Sequence, residues 1–218
     1  MVGSAHNQWS KIAAPGYRFI LAGVLLFLLG LFLNSAWLAL IGLLSGGFLT
    51  YFFRDPERSI PTEPDVVVAP ADGKVVLVDR VAEDRFLKGS AHRVAIFMNV
   101  FDVHVNRAPL AGTVAERLHR PGAFLAASRE EAGWQNEQLA MVLEDDRGRR
   151  ALVVQIAGLL ARRIISYVNP GAQLAKGERF GLICFGSRVD LYLPLEAEIL
   201  VKVGDRVKAG SSIIGKWA

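Results

Sequence analysis

The residues with the most distinctive chemistry are Gly186-Ser187, within Phe185-Gly186-Ser187-Arg188-Val189-Asp190. A serine hydroxyl attacks the carbonyl of the residue before it only where the backbone bends sharply, and glycine takes such a bend at least steric cost. The ester that results can eliminate across Ser187 to leave dehydroalanine, which hydrolyses to a pyruvoyl group at a new N-terminus. That group is an electrophilic carbonyl able to condense with amines. Gly-Ser alone is a common turn pair, so the weight falls on two further segments. Pro70-Ala71-Asp72-Gly73-Lys74-Val75 sets a carboxylate before a glycine turn, and Phe101-Asp102-Val103-His104-Val105-Asn106-Arg107-Ala108-Pro109 sets a histidine in a strand-like stretch.

The elements that must position these groups divide in two. From Phe19 to Phe53 there are 35 consecutive residues without a formal charge. As one helix they would span about 52 Å at ~1.5 Å per residue, well beyond a ~30 Å hydrocarbon core. Asn34-Ser35 splits the run into blocks of 15 and 18 residues, Phe19–Leu33 and Ala36–Phe53. The expectation is an N-terminal membrane anchor over residues 1–53, either a hairpin of two short helices or one tilted span. Lys11 and Arg18 precede the run and Arg54 and Arg58 follow it, a symmetry that favours a hairpin with both ends in the cytoplasm.

The net charge of +4 comes from 25 basic and 21 acidic residues. The anchor contributes only Lys11 and Arg18, so residues 54–218 carry 23 basic and 21 acidic groups, a balance of +2. Nothing in that balance points to nucleic acid, whereas a modest positive charge beside an anchor suits anionic headgroups. Cys184 is the one cysteine, which excludes an intrachain disulfide and fits a reducing compartment. His6, His92, His104 and His119 are scattered and give no metal-ligand spacing.

After Arg54 short apolar runs alternate with Gly, Pro and Asp, the punctuation of strands. Strands are expected at Val66–Val68, Gly73–Asp79, Arg93–Asn99, Gly112–Leu118, Ala140–Glu144, Ala151–Ala157, Leu182–Phe185, Val189–Leu193, Glu198–Val201 and Ser212–Gly215. Helices are expected only at Ala123–Gln138 and Leu159–Tyr167. Two segments 33 residues apart, Gly171–Gly177 and Gly204–Gly210, share the form G-x-x-apolar-x-x-G, each followed by a short apolar strand. The Gly204–Gly210 segment resembles the turn of biotinyl and lipoyl carrier domains. The expected fold class is therefore mainly β: a flattened β-sandwich or barrel-sandwich core with lipoyl-like halves and few short helices, after the N-terminal hydrophobic hairpin or span.

The three motifs, with Arg54-Asp55-Pro56-Glu57-Arg58 and Gly158-Leu159-Leu160-Ala161-Arg162-Arg163-Ile164, resemble in order those of the phosphatidylserine decarboxylases in their short, membrane-anchored form. The resemblance covers nearly the whole chain. It implies self-cleavage between Gly186 and Ser187 into a large chain, 1–186, and a small chain, 187–218, that stay associated. Ser187 becomes the pyruvoyl cofactor, and Asp72 and His104 match the family's Asp and His, which with the serine resemble a protease triad. In that arrangement the histidine takes the hydroxyl proton and the carboxylate holds its ring.

A second histidine that some members carry three positions earlier is replaced here by Phe101, so His104 is left to handle the proton at the decarboxylated carbon. The implied reaction is conversion of phosphatidylserine to phosphatidylethanolamine and CO2 through a Schiff base, without metal or pyridoxal phosphate. Such a substrate bears carboxylate and phosphate, for which Arg162, Arg163 and Arg188 are candidate partners. The implied location is the inner membrane with the catalytic domain on the cytoplasmic face, with a homo-oligomer possible. Three alternatives remain at this point: an archaetidylserine decarboxylase of the same mechanism, a noncatalytic lipoyl-like carrier, for which Lys74 is the nearest candidate lysine, and an endopeptidase using Asp72, His104 and Ser187 in trans.

Overall fold

A computed structural model of the chain describes residues 11–127, 131–159, 163–184 and 186–217. The chain divides into two compact units between Glu57 and Arg58.

The first unit is built on two apolar helices of 17 residues each, α1 (Gly16–Phe32) and α2 (Ala36–Phe52). Asn34 adopts φ 51°, and Ser35 caps α2 by accepting the Leu38 N–H at 3.4 Å. The chain therefore reverses where the sequence interrupts its apolar run, and one continuous helix is not formed. Small residues line the contact between the helices: Gly16, Gly23 and Gly30 are buried on α1, and Ala39, Gly42 and Gly46 on α2. A Cβ at Gly23 would lie 2.7 Å from the Gly46 Cα, and one at Gly42 would overlap the Phe27 backbone. The large side chains point outward, among them Leu21, Leu25, Phe32, Trp37, Ile41 and Leu44. Among the described residues no helix is long and apolar enough to cross a membrane.

The second unit is mainly β. Its principal sheet has eight antiparallel strands in the order β13-β2-β3-β11-β7-β6-β5-β9. These are β2 (Gly73–Glu83), β3 (Gly89–Met98), β5 (Gly112–Arg120), β6 (Gln138–Glu144), β7 (Arg150–Ile156), β9 (Gln173–Leu174), β11 (Ser187–Pro194) and β13 (Arg206–Val207). One three-stranded sheet joins β1 (Val66–Val68), β14 (Ile213–Trp217) and β12 (Ala197–Ile199); another joins β4 (Val105–Arg107), β10 (Arg179–Ile183) and β8 (Ile164–Ser166).

The two glycine-bounded turns found in the sequence lead into the two edge strands of the large sheet. Gly171 N–H donates to the Val114 carbonyl and Val114 N–H to Ala172; Gly204 N–H donates to Val75 and Val75 N–H to Asp205. The strands they flank begin with a further repeat, Ala69-Pro70-Ala71-Asp72-Gly73-Lys74-Val75 and Ala108-Pro109-Leu110-Ala111-Gly112-Thr113-Val114. The two turns meet at Ile60: a Cβ at Gly177 would lie 2.8 Å from the Ile60 Cγ1, and one at Gly210 would lie 2.9 Å from its Cδ1. The sheet is curled, and its inner face, including Val75, Ile96, Met98, Val153, Val189 and Leu191, forms the main core. Asp72 occupies the place that Ala111 holds in the other copy.

Among the described residues, both expected helices give way mainly to other structure. Among the described residues of Ala123–Gln138 only one turn, α3 (Ala132–Gln135), is helical, and residues 128–130 lie outside them. Ala123 instead exchanges backbone hydrogen bonds with Gln135 and Glu137, and Gln138 opens β6. In the other segment Ile164–Ser166 is strand β8, paired with Gly181–Ile183. Its two adjacent β-branched residues suit a pleated surface better than a helix.

Candidate active site

The bond between Gly186 and Ser187 lies where the chain leaves the small sheet and enters the large one. Strand β10 ends at Ile183, whose N–H donates to the His104 carbonyl at 3.3 Å, and β11 begins at Ser187. Gly186, between them, has φ 63°, a conformation in which a Cβ would be strained. Ser187 sits between β3 and β7, directly opposite Met98. Its side chain is buried and its Oγ has no hydrogen-bond partner.

His104 is brought to this bond by the turn that follows β3. Asn99 N–H donates to Asp102 Oδ2 at 2.9 Å and Phe101 N–H to Asn99 Oδ1 at 2.7 Å, so two short side chains hold the reversal. The ring Nδ1 lies 3.0 Å from the Asp102 carbonyl oxygen. A carbonyl only accepts, so Nδ1 carries the proton and Nε2 the lone pair. Nε2 accepts the Gly186 N–H at 3.3 Å. An imidazole nitrogen therefore meets Gly186, one residue before Ser187.

Asp72 is buried but turned to other partners. Its Oδ2 accepts from the Arg58 guanidinium at 2.8 Å and its Oδ1 from the Ala209 N–H at 2.8 Å. Burial pushes its carboxyl above the usual range, opposed by Arg58. The ring of His104 is thus oriented by a backbone carbonyl, and Asp72 supports the site from further off. It fixes the turn beside β13, whose Arg206 donates to Asp102 Oδ1 at 3.1 Å.

The three candidate arginines separate. Arg188 lies on the opposite face of β11 from Ser187, buried, with Nε and an Nη 2.5 and 2.6 Å from the two oxygens of Asp190. Burial raises the Asp190 carboxyl and Arg188 opposes that shift. Arg163 is exposed, and its carbonyl accepts the Cys184 N–H at 3.3 Å, two residues before Gly186. Arg162 lies outside the described residues. Lys74 is within β2, paired with Phe97 and Arg206, rather than at a hairpin tip where a carrier presents its lysine. His119 is paired with Glu137 at 3.0 Å.

Four features of the site do not follow from the sequence reading. The Asp102 carbonyl has no side-chain signature. At Gly158 a Cβ would overlap the Gly186 carbonyl oxygen, so only glycine lets that carbonyl lie where it does. Asn136 is buried, and its Nδ2 donates to the Leu125 and Ala157 carbonyls at 2.8 Å each while Oδ1 accepts the Leu125 N–H. It clamps the 123–127 segment beside Gly158. Gln155 is a buried amide in the apolar run Leu152-Val153-Val154-Gln155-Ile156, bonded to buried Asn106 at 2.8 Å. A lone amide in such a run is a usable signal.

The sequence profile of the phosphatidylserine decarboxylase family matches residues 46–215. A phosphatidylserine decarboxylase proenzyme of Symbiobacterium thermophilum is 49% identical over 205 residues, covering 94% of this chain and 95% of the relative. One of Syntrophotalea carbinolica is 46% identical over 213 residues, 96% and 98% of the two chains. One of Desulfotalea psychrophila is 43% identical over 205 residues, 94% and 96%.

Proposed function

The chain belongs to the phosphatidylserine decarboxylase family, and on that premise we propose that it cleaves itself between Gly186 and Ser187 and decarboxylates phosphatidylserine to phosphatidylethanolamine. The observation that carries this reading is the pairing of His104 Nε2 with the Gly186 N–H beside a buried, unpartnered Ser187 Oγ. These residues fit a pyruvoyl precursor: a nucleophile with no competing hydrogen bond, a base of fixed tautomer, and a glycine able to bend.

Maturation begins when Ser187 Oγ gives its proton toward His104 and bonds to the Gly186 carbonyl carbon. The Gly186–Ser187 C–N bond breaks, the nitrogen takes up a proton, and an ester joins the two halves. Loss of the Ser187 Cα proton expels Gly186 as a carboxylate. Addition of one water then releases ammonia and leaves the α-ketoacyl group. When present, that group supplies a carbonyl that captures the substrate amine and withdraws electrons from the bond to the carboxyl. His104 remains beside position 187 to deliver the proton that replaces CO2, and exposed Arg163 offers a cation to the headgroup.

The first unit supports a position on the membrane. Two helices that bury glycines against each other and turn Leu, Phe and Trp outward suit lipid, where small residues allow close helix contact. Each is about 25 Å long at ~1.5 Å per residue, short of the ~30 Å core. A hairpin inserted from the cytoplasmic face, with both ends on that face, accommodates this length. A diacyl substrate then meets the enzyme at high local concentration.

The test is conversion of phosphatidylserine vesicles by the purified chain without pyridoxal phosphate or metal. Phosphatidylethanolamine and CO2 are expected from the native chain and neither from Ser187→Ala. An absolute requirement for pyridoxal phosphate would overturn the pyruvoyl reading.

A further inference from the structure

We propose that Gln155 is a binding residue for the substrate amine: its Oε1 accepts an N–H of the primary amine that condenses at position 187. The inference rests on the function proposed above and names a group within that site. Gln155 is fully buried, and its Nε2 is committed to Asn106 Oδ1 at 2.8 Å. Asn106 is fully buried as well, with its Nδ2 3.7 Å from Met98 Sδ. That arrangement leaves Gln155 Oε1 facing inward without a hydrogen-bond partner. A buried acceptor left unpaired costs about 1–3 kcal/mol, and such groups call for an explanation.

The register places this acceptor beside the reacting residue. Gln155 on β7 is opposite Val189 on β11, and Val189 shares a sheet face with Ser187 two residues away. Diagonal neighbours of this kind are ~7–8 Å apart, within reach of a long side chain. From the other flank, Met98, which Asn106 touches, is directly opposite Ser187. The other unpartnered oxygen on this face is Ser187 Oγ itself. Self-cleavage carries the Ser187 oxygen away in the Gly186 carboxylate, so Gln155 Oε1 is the acceptor that meets the ligand N–H.

The sign of the group selects the part of the substrate. An amide oxygen repels a carboxylate or phosphate and attracts an amine. Condensation forms a bond between the amine nitrogen and the carbonyl carbon at position 187, and the carbonyl oxygen leaves as water with two protons from the amine. Holding one N–H on Oε1 turns the nitrogen lone pair toward that carbon and fixes the angle of approach.

The experiment uses full-length, processed protein and a short-chain phosphatidylserine with cyanoborohydride, reading by intact mass the rate at which the 187–218 chain gains the substrate's mass. Gln155→Leu is expected to process fully, to gain the adduct about tenfold more slowly or worse, and to raise KM. Gln155→Glu, which keeps an acceptor oxygen, is expected to hold the rate within about threefold of the native chain. Adduct formation by Gln155→Leu at the native rate overturns the proposal and leaves a bound water as the partner of Oε1. Failure of both variants to process also overturns it, by placing Gln155 in folding or self-cleavage. If the native chain itself yields no 187–218 fragment, the proposed function fails instead.

Discussion

His104 works through the difference between its two nitrogens. The Asp102 carbonyl holds the proton on Nδ1, which leaves Nε2 basic and aimed at the Gly186 peptide. The carbonyl under attack lies against Gly158, where any Cβ would collide with it. Gly158→Ala is therefore expected to slow self-cleavage on the order of 100-fold, since small misplacements of reacting groups have effects of that size. A time course on a denaturing gel checks this, and native-rate processing would count against it. On the far face of β11 the buried Arg188–Asp190 pair is a structural contact. Asp190→Leu should lower unfolding free energy by about 3–5 kcal/mol by taking the carboxylate away from a buried cation, whereas Arg188→Met with Asp190→Leu should recover most of it. Chemical denaturation of the three chains decides whether that compensation occurs.

Among the elements, the crossover from β10 to β11 does most to create the site, because it bends the chain between two sheets at Gly186. Its glycine and serine are legible in the sequence, as are His104, the Asp72 turn and most strands of the large sheet. The partners of Asp72 are not legible. Arg58 precedes it by 14 residues and Ala209 follows by 137, and only the folded chain brings both to one carboxylate. The segment Ala123–Gln138 reads as helix, but its described residues form only the turn α3, because tertiary bonds override helical composition: the Asn136 side chain ties to Leu125 and Ala157. In the hairpin, the break at Asn34-Ser35 is legible, but the glycine-lined contact emerges only from the packed helices. Gly42→Leu should force α1 and α2 apart at Phe27. Vesicle flotation and turnover on vesicles should both fall severalfold if close packing of the hairpin supports the anchor; unchanged flotation and turnover would contradict that role.

For the whole molecule, cleavage at Gly186 would cut the chain without dismantling the fold. The segment 187–218 contributes β11, β12, β13 and β14, and β11 lies between β3 and β7 inside the large sheet. The two products should remain associated under native conditions and separate only on denaturation. Self-cleavage at Gly186 is tested most directly by intact mass measured on denatured, active protein. Two species are expected, residues 1–186 and a 32-residue fragment from position 187 to Ala218, the smaller with a ketone in place of its N-terminal amine. A single uncut chain of 218 residues in fully active protein would contradict it.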